Sequence, residues 1–143
     1  MTTLRAAAFV TALLVLPVSA ADAGKVVPRR ETQTAPYVAA YETNMMFLGT
    51  VTIGGARFKP PAWARYVSVR VVDDTSPKPA FRIVETSTYP GRDRGAYCGQ
   101  TPGAVPILTT QISVDVNQGP CPDGSVNGVA TKGTIEVVFS DVR

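Results

Sequence analysis

The chain reads as an all-β protein: an antiparallel β-sandwich, jelly-roll-like or immunoglobulin-like, of about six to eight strands with one disulfide. Three observations carry that reading. Apolar and polar residues alternate with period two in one run after another. Twelve glycines and twelve prolines punctuate those runs, and no window carries a helical stripe. The only cysteines, Cys98 and Cys121, lie in a chain that opens with an export signal.

The strands follow in order. In "FLGTVTI" (47–53), Phe47, Val51 and Ile53 share one side. In "RYVSVRVV" (65–72), Val67, Val69 and Val71 alternate with Tyr66, Ser68 and Arg70. "AFRIVET" (80–86) sets Phe81 and Ile83 against Arg82 and Thr86. A short strand over 95–98 ends at Cys98, and "ILTTQISVDV" (107–116), in a strand reaching back to 105, places Leu108, Ile112, Val114 and Val116 together. "GTIEVVFS" (133–140) opposes Ile135, Val137 and Phe139 to Thr134, Glu136 and Ser140, and reads as an edge strand open to strand addition. "APYVAAYETN" (35–44) fits either a further strand or one helical turn. The separators, among them "DDTSPKP", "YPGRDRG" and "NQGPCPDGS", are rich in turn-forming residues.

Residues 1–23 have the form of a secretory signal peptide. Arg5 lies in a short leading segment, an apolar core runs from Ala6 to Leu16, and small residues follow it. Cleavage after Ala20 or Ala23 satisfies the small-residue pattern, and Ala23 is favoured. The apolar core is shorter than the ~20 residues a membrane crossing requires. Residues 24–45 then form an N-terminal lead-in with a possible first strand, "KVVPRR" being a solvated tail. The sandwich domain is expected over 46–143.

Composition excludes several functions. The chain has no histidine, which removes the Ser-His-Asp and Cys-His arrangements and the zinc metalloprotease helix. Its net charge of +3 is scattered along the sequence, unlike the basic face of a nucleic-acid binder. Two cysteines in an exported chain pair as Cys98–Cys121, because zinc and redox centres need other spacings or further ligands. On this reading "GPCPDGS" is a stapled corner.

Candidate sites remain few. Asp73 and Asp74 are the candidate calcium ligands, with Asp93 and Asp123 as possible additions, although adjacent aspartates alone offer too few oxygens and suit a capped turn better. Glu85, Glu136 and Asp115 would have to line one groove for a carbohydrate-active enzyme. Trp63, Tyr66, Tyr89 and Tyr97 are the candidate binding aromatics for glycan or protein. No catalytic residue or cofactor is expected. Beyond the signal peptide no stretch suits a membrane.

The order "YVSVRVVDD", "YCGQTPGAVPI", "GPCPDGS" and "TKGTIEVVFS" resembles small secreted actinobacterial β-sandwich proteins, similar to the pre-peptidase C-terminal type of jelly-roll-like accessory domain. The resemblance covers about residues 47–142. It implies secretion and an accessory or binding role without catalytic residues. Such modules usually accompany a large catalytic partner, whereas this domain is expected to stand alone. The expected protein is a secreted, non-catalytic module acting on an unidentified extracellular protein or glycan, with a carbohydrate-active enzyme or calcium-dependent carbohydrate-binding module as the alternative.

Overall fold

A computed structural model describes residues 24, 27–44, 49–87, 91–117, 121 and 129–143; for 41–44 and 49–53 the description covers backbone only. Every regular element among the described residues is a strand. The strands are β1 (Arg30–Val38), β2 (Ala40–Asn44), β3 (Gly49–Phe58), β4 (Tyr66–Asp73), β5 (Ala80–Glu85), β6 (Arg92–Cys98), β7 (Val105–Pro106), β8 (Ile112–Val116) and β9 (Lys132–Ser140). They form two antiparallel sheets, ordered β1-β9-β4-β7 and β2-β3-β8-β5-β6. The β-sandwich expected from the alternation is the fold.

The alternation works as period-two geometry requires. Val67, Val69 and Val71 of β4 and Ile135, Val137 and Phe139 of β9 turn inward from one sheet. Phe81 and Ile83 of β5 and Ile112, Val114 and Val116 of β8 meet them from the other. Tyr37, Phe58, Ile107 and Ala130 complete the core. Each buried Val, Ile or Phe side chain contributes about 1.5–3 kcal/mol relative to exposure, so these inward rows are the main source of cohesion.

Four expectations are corrected. The sandwich begins before residue 46, because β1 pairs with β9 along its whole length, from Arg30↔Ser140 to Val38↔Lys132. Arg30 of "KVVPRR" therefore belongs to a strand, and 35–44 supplies strand on both sides of Ala39. Next, β9 is not an edge strand: β1 flanks it on one side and β4 on the other. The run over 105–116 is interrupted, with strand only at Val105–Pro106 and Ile112–Val116. Across that interruption the facing reverses, so that Ile107 is buried and Leu108 is 77% exposed. Strand 95–98 extends back to Arg92, with a register shift opposite Arg82 and Val84.

The sheets are joined at one side by a crossing segment. After β6, Gln100 bridges to both Cys98 and Arg70. Val71 N donates to Gly99 O at 2.7 Å, and Thr101 N donates to Val69 O at 2.9 Å. Gly99 makes the bend with a φ of 72°, a left-handed conformation that favours glycine.

Phe139→Ala is expected to cost about 3–5 kcal/mol, because it empties a fully buried site, whereas Leu108→Ser should change stability by less than about 0.5 kcal/mol. Urea denaturation of the two variants checks this pair, and a large loss at Leu108 would contradict the facing described above.

Candidate functional site

The functional candidate lies where the crossing segment leaves β4. A cleft of about 550 Å³ opens there, walled by Arg70, Val72 and Asp73 of β4, by the 76–78 turn and by 98–100. It exists because β7 pairs only with Tyr66 and Val67, after which 99–101 covers β4 no further than Val71. Its back carries Cys98, disulfide-bonded to Cys121 at a Cα–Cα separation of 5.6 Å. Closing a loop with a sequence separation of 23 is worth about 3 kcal/mol in the chain-entropy treatment. Both cysteines are thus accounted for, and Cys121 is buried. The remainder of the "GPCPDGS" corner, Asp123 included, lies outside the described residues.

Asp73 holds the cleft's inner end. Its Oδ2 accepts from the Tyr37 hydroxyl at 2.5 Å and from Thr131 N at 2.9 Å. Oδ1 accepts from Thr75 N, the Thr75 hydroxyl and Ser76 N at 2.8–2.9 Å. One carboxylate thereby ties β1, β4, the 75–76 turn and the entry to β9. Burial pushes its pKa up, but the Tyr37 hydrogen bond and those from Ser76 and Thr75 outweigh it and lower the value to about 2. Tyr37 shifts the opposite way, raised by burial and by donation to Asp73.

This arrangement changes the reading of the aspartate pair. Five donors surround Asp73, and a cation would have to displace them to reach either oxygen. Asp74 points elsewhere, 3.7 Å from the Lys132 ammonium and well exposed. Asp93 accepts from Gly95 N and pairs with Arg82. No group of three or more acidic or cysteine ligands converges among the described residues.

The three carboxylates weighed for hydrolysis are carried to three different places. Glu85 is 2% exposed, its oxygens taken by Leu108 N at 2.5 Å and Arg94 Nε at 2.8 Å. Glu136 is exposed on the outer face of the four-stranded sheet, in register with Arg70. Asp115 lies half-buried on the outer face of the other sheet and accepts from the Ser113 hydroxyl. They do not share a groove.

The aromatics do not assemble into a platform. Trp63, in the turn before β4, is half-buried and packs against the core. Tyr97 also packs on the core: its ring centroid lies 5.6 Å from that of Phe81, and its hydroxyl donates to Arg94 O. Burial, then the nearby Asp93 charge, raises its pKa. Tyr66 is half-buried on the outer face, aligned with Ser68 and Arg70. Tyr89 lies outside the described residues.

Sequence reasoning overlooked Arg70, Lys78, Gln100 and Asn117. Asn117 sits at a φ of 61°; its amide donates to Ala130 O and its Oδ1 accepts from Ala130 N, both at 2.9 Å. It thus ties the end of β8 to the approach to β9. An asparagine directly after a strand was the available signal, since Asn tolerates the left-handed region. Nothing in the local sequence pointed to the other three, which converge through pairing.

No known protein family, curated protein or solved structure matches the chain. No helix among the described residues is long and apolar enough to cross a membrane.

Because the native pKa of Asp73 is depressed, its stabilisation is fully present above the ordinary carboxylate value and is lost as pH falls from about 4 towards 2. Asp73→Asn is expected to lower the melting temperature at pH 7 and to flatten its fall between pH 4 and pH 2. Melting curves of parent and variant across that window check it; parallel slopes would contradict the assignment.

Proposed function

We propose that this protein is an exported, non-catalytic β-sandwich that binds an extended segment of another protein in the seam cleft. One observation carries the reading: the cleft is walled by elements locked together through strand pairing, the Asp73 hydrogen bonds and the disulfide. A preformed concavity is the usual form of a binding site, since little ordering entropy is lost on occupation. Dispersal of Glu85, Glu136 and Asp115 over separate surfaces favours binding over hydrolysis.

A peptide is favoured over a glycan because no aromatic ring among the described residues lines the cleft, and sugar recognition generally uses a stacking face. Export is supported by the apolar leader and by the disulfide, which persists in oxidising compartments. The resemblance to pre-peptidase C-terminal domains is in keeping with an accessory role. Placement in the envelope or the medium follows from the same features.

Two outcomes are expected. N-terminal sequencing of the protein recovered outside the cytoplasm should begin at Ala21 or Gly24; an intact Met1 in that fraction would count against the leader. Titration of the isotope-labelled, disulfide-bonded chain with a random heptapeptide pool should move amide signals at 70–73, 76–78 and 99–100. Neutral oligosaccharides should leave those signals in place. A response centred on Tyr66 with sugars alone would replace the peptide reading by a glycan one.

A further inference from the structure

We propose that the seam cleft selects acidic peptide segments, with Arg70 and Lys78 reading the carboxylates while the peptide backbone pairs with the bare end of β4. This deepens the peptide-binding reading and rests on it. The two cations come from different elements, β4 and the 76–78 turn, and line the same cleft. Both are exposed, and among the described residues neither makes an ion pair.

The acidic groups nearby are placed so that they leave this charge available. Asp73 is engaged by five donors, and Asp74 lies beside Lys132. Among the described residues Glu136 is the one competitor: it faces Arg70 across β9 and β4, yet sits beyond ion-pair distance. An incoming carboxylate can therefore approach Arg70 without breaking a salt bridge. Arg presents a planar fork of donors suited to that group, and Lys a mobile point charge.

The backbone supplies the second half of the recognition. Val71 N is used by Gly99 O, and Val69 O by Thr101 N. Antiparallel alternation turns the Val71 carbonyl and the Asp73 amide to the same edge, and no described backbone group outside the β4 ladder meets them there. The bend at Gly99 carries the chain away and leaves that edge facing the cleft. An extended peptide adds its backbone to such an edge and projects alternate side chains towards flanking groups. A polysaccharide carboxylate would satisfy the cations but not the edge.

Fluorescence anisotropy with a labelled decapeptide alternating glutamate and valine tests the proposal, with its glutamine counterpart and polygalacturonate as comparison probes. Tighter binding of the acidic peptide is expected, about tenfold over the glutamine peptide for two charge contacts and weakening with added salt. Arg70→Ala and Lys78→Ala should each weaken it by up to about fivefold, the scale of a solvent-exposed charge pair. Glu136→Gln should strengthen it, Lys132→Ala should leave it within about twofold, and Val72→Trp, which fills the cleft without changing charge, should abolish it. Melting temperatures equal to the parent's certify each variant as folded. Equal binding of the two peptides, still blocked by Val72→Trp, would overturn the acidic preference and leave the peptide cleft standing. Preference for polygalacturonate would overturn the peptide half. Binding of no probe, or binding indifferent to Val72→Trp, would overturn the cleft itself.

Discussion

The crossing segment 98–101 is the constraint on which the rest of this sandwich depends. Sheets in a sandwich are held mainly by apolar packing, which is strong but has little directional preference. Here a hydrogen-bonded strap fixes one sheet against the other: Gln100 bridges β6 and β4, and the Gly99 and Thr101 backbone groups bond to Val71 and Val69. Gly99 N also donates to Pro79 O, tying the strap to the chain entering β5. The disulfide anchors its first residue. A left-handed glycine is needed at the bend, because an L side chain there would carry backbone strain.

The cleft is a direct consequence of this strap. A longer β7 would have paired with the whole edge of β4 and left no opening; two residues of pairing followed by a bend leave one. Asp73 then sets the shape of the opening's inner end, because its five hydrogen bonds hold β1, β4, the following turn and the approach to β9 in one arrangement. Gly133 contributes by absence: a Cβ there would lie 1.8 Å from the Val72 carbonyl oxygen. That contact would force β9 away from β4 at the cleft wall.

Charge is distributed with a similar economy. Buried Glu85 pairs with half-buried Arg94 and accepts from a loop amide, an arrangement whose interaction energy is largely offset by desolvation. One guanidinium nitrogen, Nη2 of Arg94, is buried with no hydrogen-bond partner among the described residues, which adds to the cost of that pair. Among the described residues the surface cations Arg70 and Lys78 make no ion pair, and both line the cleft beside the end of β4. Pairing within the fold and availability at the cleft thus follow from which side of each strand a residue occupies.

Fold class, the disulfide and most inward-facing residues can be read from the chain before it is folded. Period-two alternation in 65–72, 80–86 and 133–140 leaves only one face apolar enough to bury, so the facing of Val69, Ile83 and Val137 was legible without coordinates. Whatever depends on partners distant in sequence emerges only on folding. Leu108 looked inward because alternation was extended across a break that only pairing with β4 and β5 creates. Glu85 was weighed as a groove carboxylate, but strand register brings Arg94, from a neighbouring strand, within reach of it. The 133–140 strand looked like an edge because the residues of β1 lie about a hundred positions earlier in the chain. Asp73 looked like half of an acidic pair, and the donors that occupy it come from three separate segments. The cleft has no local signature for the same reason: its walls are assembled by strand register, a long-range property that no window of sequence contains.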